Sequence, residues 1–289
     1  MTAPDTQPND RATAERVIRP KHGLAAMDFA ELWRYRELFW FLAWRDILIR
    51  YKQTYLGVAW ALIQPLLMMV VFTVIFGKFG KFDSKGVDYS VLTLAGLVPW
   101  LFFANAMATS SNSLIAASNM VTKIYFPRLI IPASAVLSGL VDFAIALVIL
   151  FGMMAWHGLG FSPRLLLLPA FFLVAFFAAF AVGLWLSALN VKYRDVKYVV
   201  PFLVQMGMYG SPVAFLSTVV ADKLGPDWFF WYSLNPMVGV IDGFRWCVLG
   251  PAFAPYWPGL GASVAIIAVL FVSGAYYFRG AEKTFADVI

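Results

Sequence analysis

Cysteine, histidine and charge are all scarce in this sequence, and each shortage removes a class of function. The single cysteine, Cys247, excludes an intramolecular disulfide and any multi-cysteine metal site. The two histidines, His22 and His157, lie far apart in the chain, so no metal centre is expected. No G-x-x-x-x-G-K-[ST] phosphate loop occurs, so nothing here cradles ATP phosphates in the usual way. The apolar runs also lack a carboxylate cluster for catalysis or ion coupling, Asp142 being the one acidic residue inside them. No internal repeat is evident, which argues against the inverted-repeat secondary transporters.

What is abundant is apolar sequence: 61% of the 289 residues are hydrophobic and 13% charged. One soluble core of ordinary composition cannot absorb that balance, and the chain reads as an integral membrane protein. The net charge of +6 does not signal nucleic acid, because the basic residues flank apolar runs instead of gathering on a soluble module.

The stretch from Arg45 to Pro65 organises the rest, packing Arg45, Asp46, Arg50 and Lys52 together before 22 uncharged residues from Tyr55 to Phe76. At about 1.5 Å per residue such a helix covers the roughly 30 Å hydrocarbon core, so this is the first span. Further spans are expected at Val91 to Ser110, interrupted by Pro99; Ile130 to Trp156; Leu165 to Leu189; Tyr198 to about Phe215; and Leu260 to Phe278. Asp142, in the third, costs about 2.5–3.5 kcal/mol on insertion scales unless paired, so it faces protein or water. Sixteen of the 22 Lys and Arg fall on one side of this layout, which places both termini in the cytoplasm.

The flanking segments have their own signatures. Residues 1–28 carry Pro4, Pro8, Pro20 and several charges without an apolar core, and read as a disordered cytoplasmic tail and not a signal peptide. Residues 29–54 read as an amphipathic interface helix and membrane entrance: Trp33, Trp40, Trp44 and Ile47, spaced 7, 4 and 3 apart, share a face opposite Glu31, Arg34, Arg45 and Asp46. Residues 55–278 are the six-span transmembrane region, and 279–289 a cytoplasmic tail. From Leu216 to Pro258 the chain is aromatic but broken. Pro236, Asp242 and Arg245 make one continuous span costly there, so two short re-entrant helices meeting at Asn235-Pro236 are expected on the outer side. Asp242 and Arg245, three apart, fall on one face, able to pair or meet water.

Several fragments together resemble the membrane permease subunits of ATP-binding-cassette exporters of polysaccharides, the O-antigen, capsule and teichoic-acid exporters. They are Arg45-Asp-Ile-X-X-Arg50-Tyr51-Lys52-X-Thr-X-Leu56-Gly57-X-X-Trp60-X-X-X-X-Pro65; Lys123-X-X-Phe126-Pro127-Arg128; Tyr193-Arg194-Asp195-Val196; Asn235-Pro236; and Phe278-Arg279-X-Ala-Glu282-Lys283-X-Phe285-Ala286-Asp287. The resemblance runs from about residue 29 to the C-terminus. It implies an all-α membrane protein of six spans with an N-terminal interface helix, an intracellular coupling helix between spans two and three, and outer gate helices before span six. It further implies a homodimer in the bacterial inner membrane, a lipid-pyrophosphate-linked polysaccharide as cargo, O-antigen in particular, and a separate ATPase subunit that binds ATP and Mg. This chain itself then binds no cofactor and is no enzyme.

That cargo needs an anion site and an amphipathic path. Arg45, Arg50 and Lys52 are the candidates for the pyrophosphate, with anchoring on bulk anionic lipid as their alternative role. With 27 Phe, 12 Tyr and 11 Trp, aromatics exceed what two interface belts use; Tyr51, Tyr55, Trp60, Phe202, Tyr209 and Phe215 are candidates for the sugar path, lipid contact or packing being the alternative. Lys123, Tyr125, Phe126, Pro127, Arg128, Arg194 and Asp195 are candidates for ATPase coupling, because Tyr125 and Phe126 are large apolar groups on a loop expected to face water. Asn235, Pro236, Asp242 and Arg245 are assigned to the outer gate. Export of a drug or small lipid by the same fold, or an ATP-independent lipid-sugar flippase, are the competing functions.

Overall fold

The structure, a computed structural model, describes residues 29–52, 55–283 and 285. The 1–28 tail, the side chain of Tyr55, and Ala286 and Asp287 of the C-terminal motif lie outside the described residues. Among the described residues every regular element is a helix. Five stretches are long and apolar enough to cross a bilayer: Ala59–Phe79, Tyr89–Ala116, Ile130–Trp156, Pro163–Lys192 and Trp257–Glu282.

In chain order, α1 (Phe29–Arg34) and α2 (Arg36–Lys52) precede α3 (Tyr55–Phe72), which continues as a π-helical turn over Thr73–Phe79. Then come α4 (Tyr89–Ala116), α5 (Ser118–Lys123), α6 (Ile130–Ser138), α7 (Leu140–Trp156), α8 (Leu168–Lys192) and α9 (Val196–Tyr209). Three shorter helices, α10 (Thr218–Leu224), α11 (Pro226–Ser233) and α12 (Pro236–Leu249), lead to α13 (Trp257–Glu282).

The bundle is built around α4, which is buried along 78% of its apolar window against 17 to 39% for the other four long stretches. Its start is fixed by Asp88, whose Oδ1 accepts the Ser90 N–H at 2.8 Å and satisfies one orphan donor of the first turn. Its most extensive contact is with α8. In lipid, close packing drives helix association, and small residues allow it. Gly183 of α8 is such a place, since a Cβ there would stand 2.5 Å from Ser110 Oγ of α4.

Three sequence expectations change. Pro99 does not interrupt the second span; it sits inside a continuous 28-residue helix. Neighbouring helices and local adjustments can satisfy the groups a proline frees within a bilayer. The third span is instead divided at Gly139, whose N–H turns back to the Val136 carbonyl at 3.2 Å, separating α6 from α7. The fifth apolar segment ends as a helix at Tyr209, after 14 residues. Its course still follows α4: Val200 packs on Met107, Gly207 meets the Trp100 ring, and the Val213 carbonyl lies against Gly96. From Met107 to Gly96 is eleven residues, roughly 16 Å of helix rise.

The indoles of Trp33 on α1 and of Trp40 and Trp44 on α2 point outward, with Phe41 and Ile49, while Leu42 and Ala43 of α2 are buried on the side that packs beside α6. The outward aromatic face and the inward aliphatic one give the helix two apolar sides, with Arg34, Arg36 and Glu37 exposed around them. At the other end of the bundle α12 is buried nearly all round, between α4, α8 and α13. Gly243 is required there: a Cβ would come 2.1 Å from Cε1 of Phe171.

Candidate functional site

Two consecutive residues at the end of α2 converge on one carboxylate. Arg50 Nη1 donates to Asp142 Oδ2, and the Tyr51 hydroxyl donates to Asp142 Oδ1. Asp142 thus finds the partner its place in an apolar helix demands, 92 residues away in sequence from Arg50. Burial, followed by the Asp142 carboxylate, pushes the Tyr51 phenol up from its ordinary value, so it remains a donor. Side-chain exposures of 35% for Arg50 and 21% for Asp142 leave the pair reachable from outside.

A cavity of about 210 Å³ opens beside this pair. Trp60 and Gln64 of α3, Phe102 and Asn105 of α4, and Arg50 and Asp142 themselves line it. Asn105 is eleven residues from the end of α4 at Ala116, roughly 16 Å along the axis. Arg50, near the end of α2, thus shares a cavity with a residue well within α4. Gln64 and Asn105 had gone unremarked; amides inside apolar helices are the signal that marks them.

The remaining entrance residues separate. Arg45 binds Asp46 Oδ1 through Nε at 3.0 Å and Nη2 at 2.8 Å, and its Nη1 lies 3.4 Å from Met120 Sδ of α5. Its charge is answered within its own helix. Lys52 is exposed. Of the aromatic candidates, Trp60 joins the cavity, whereas Phe202 and Tyr209 are exposed on α9 and Phe215 is half-buried beyond it.

The segment after α5 also differs from expectation. Phe126, read as water-facing, is only 4% exposed and belongs to the main core, and Pro127 is buried beside it. Tyr125 is 68% exposed, Ile124 is exposed with it, and so is Lys123. The apolar surface available to a partner is thus Ile124-Tyr125. Arg128 turns inward to Glu282 of α13. Arg194 and Asp195 stand exposed in the turn between α8 and α9, next to exposed Tyr193 and Tyr198.

At the opposite end, α11 and α12 meet at Asn235-Pro236 as the sequence suggests. Asn235 caps α12, accepting the Met237 N–H at 3.0 Å, and its amide donates to Ser211 Oγ at 2.9 Å. Asp242 and Arg245 do not form a water-facing polar side. Both are buried, 4.0 Å apart. Arg245 donates from Nε to the Leu92 carbonyl at 3.3 Å, from Nη1 to Phe215 at 2.8 Å and from Nη2 to Val213 at 2.9 Å. Two of these carbonyls, those of Val213 and Phe215, are ones that the chain exposes after α9 ends, and the third belongs to α4. Cys247 is fully buried on the same helix. Among the described residues no cluster of His, Cys, Asp and Glu that could hold a metal gathers.

Residues 37–249 match the family described as ABC-2 type transporter. The chain is also 24% identical over 259 residues to the "O-antigen export system permease protein RfbA" of Myxococcus xanthus, covering 90% of this chain and 98% of that protein. Two Klebsiella pneumoniae proteins of the same name are 28% and 26% identical over 204 and 202 residues, each covering 70% of this chain and 76% of the relative. With the family match running from the start of α2 to the end of α12, across a bundle of long apolar helices, the chain belongs to the ABC-2 type transporter family of membrane proteins.

Proposed function

We propose that this chain is the permease subunit of an ATP-binding-cassette exporter that moves lipid-pyrophosphate-linked polysaccharide, O-antigen in particular, across the bacterial inner membrane. The observation that carries this reading is the alignment with a protein named as an O-antigen export permease over nearly the whole of both chains. The geometry supports it. An Arg at the mouth of a cavity walled by an indole and two amides suits a phosphate headgroup followed by sugars, since charge-assisted bonds hold the first and aromatic faces pass the second.

In this reading the end of the bundle bearing Arg50, Lys123, Arg194 and Arg279 is cytoplasmic, and α9 with the following turn makes a sixth crossing. Two copies face one another through α3 and α9, whose exposed Trp60, Phe202 and Tyr209 border the path. A separate ATPase subunit, carrying ATP and Mg, docks on Ile124-Tyr125 and the Arg194-Asp195 turn. On the outer side α11 and α12 form the gate, with Asn235 and Pro236 at its joint.

The test is complementation. A strain that makes the lipid-linked polymer but lacks its own permease is supplied with this chain and its ATPase subunit, and surface polymer is stained. Polymer should appear outside only when both subunits are present and the ATPase is active; accumulation inside despite correctly assembled complex would reject the reading. A C-terminal reporter that reads as periplasmic would reject the six-crossing layout independently.

A further inference from the structure

Asp142 is paired as its apolar setting demands, and the pair also stands at a cavity. Its two carboxylate oxygens are each taken by a different side chain of α2, Arg50 on one and Tyr51 on the other, and the group so held forms part of the wall of the 210 Å³ cavity. Two oxygens on one centre, gripped by a guanidinium and a phenol, reproduce what a phosphate would offer to those same two donors. Asp142 stands on the first turn of α7, just past the Gly139 break, so its contact also ties α7 to α2 across the side of the bundle.

We infer that Asp142 is a built-in competitor for the phosphate of the cargo: it occupies Arg50 and Tyr51 in the resting permease, and a phosphate oxyanion exchanges with it there, freeing α7 from α2. The inference rests on the function proposed above and adds how its anion site is regulated. The exchange conserves pairing, because Arg50 passes from one anion to another without standing bare in an apolar setting, which is the costly alternative. The displaced carboxylate stays on the cavity wall, which Gln64 and Asn105 share and where water has room. Lys52, exposed two residues beyond Arg50, adds a second cation for a group carrying more than one negative charge. A site gated this way discriminates between anions, since a singly charged lipid headgroup gains little over the carboxylate already present.

The purified full chain in nanodiscs supplies the test, with binding of a short-chain polyprenyl pyrophosphate compared with that of the parent alcohol, inorganic pyrophosphate and phosphatidylglycerol. Asp142→Asn should tighten polyprenyl pyrophosphate binding on the order of tenfold, and Asp142→Ser, which also removes the competing charge, should tighten it to a similar extent, whereas Tyr51→Phe, which takes one donor from carboxylate and phosphate alike, should change it little. Arg50→Gln should abolish the difference between the pyrophosphate and the alcohol. Inorganic pyrophosphate competing as well as the lipid would show that the anion alone is read; failure to compete would show that the lipid is required.

Thermal midpoints accompany each variant, and Asp142→Ser keeps the test valid if Asp142→Asn does not fold. If the Asp142 variants bind equally to or more weakly than the natural chain while Arg50→Gln loses binding, the exchange is wrong and the anion site stands. If the natural chain binds pyrophosphate and alcohol alike, the anion site falls and the exchange falls with it.

Discussion

The backbone N–H of Arg128 donates to Glu282 Oε1 at 3.2 Å, while the Arg128 guanidinium donates to the carbonyl oxygen of Glu282. Two fragments 154 residues apart are thus one piece of structure, with the guanidinium also 6.0 Å over the Phe285 ring. Arg128→Ala should cost about 1.5–3 kcal/mol, the range for hydrogen bonds to charged groups. Glu282→Gln should cost less, and because each side chain bonds the other residue's backbone, the two losses should add in a thermal unfolding assay. A coupling above roughly 0.5 kcal/mol in a double-mutant cycle would mean that the two side chains act on each other directly.

Tyr125 and Phe126 are neighbours in sequence and opposites in burial. Phe126→Ala should destabilise the chain by about 3–5 kcal/mol, as loss of a core aromatic does. Tyr125→Ala should leave the melting curve unchanged while lowering the amount of ATPase subunit recovered on co-purification. Equal recovery with Tyr125→Ala would move the docking surface elsewhere, with the Arg194-Asp195 turn the next to be replaced.

Gly243→Ala should be poorly tolerated, because the added methyl would stand 2.1 Å from Cε1 of Phe171 and that ring is itself buried in the core. Overpacking of this kind costs about 1–3 kcal/mol. Phe171→Leu in the same chain should restore part of the loss, whereas failure of rescue would mean that the backbone, not the ring, resists the methyl.

Arg245→Met removes the donor to three carbonyl groups and leaves Asp242 buried without its cation. Breaking such a pair costs about 3–5 kcal/mol. Arg245→Lys should recover only part of it, since an ammonium cannot reproduce the planar fork that reaches Val213 and Phe215 together. Detergent-solubilised yield and thermal midpoint should therefore rank Arg above Lys above Met. A Met variant as stable as the natural chain would show that water serves these carbonyls.

Much of the architecture was legible in sequence because a bilayer imposes it: an apolar run of about twenty residues has few alternatives. The junction at Asn235-Pro236 was legible for a local reason, a capping side chain followed by a residue suited to the first helical position. What escaped depends on distant partners. The need of Asp142 for company could be read, but not that Arg50 and Tyr51 supply it. Asp242 and Arg245 looked like a polar face because spacing by three predicts a shared side and says nothing of whether that side meets water. Phe126 looked exposed because its neighbours are polar or proline, and only the fold shows the loop turning it inward.

The carbonyls of Val213 and Phe215, which lie beyond the end of α9, are made before the guanidinium that satisfies them. Phe215 precedes Arg245 by 30 residues and Val213 by 32, which at about 5–20 residues per second of synthesis is roughly 1.5 to 6 s. During that interval the turn after α9 exists while its side-chain donor has yet to be synthesised. Water or headgroups hold those oxygens until α12 arrives, so the arrival of α12 is the event that closes this end of the bundle. A nascent chain stopped before Arg245 keeps that seam open.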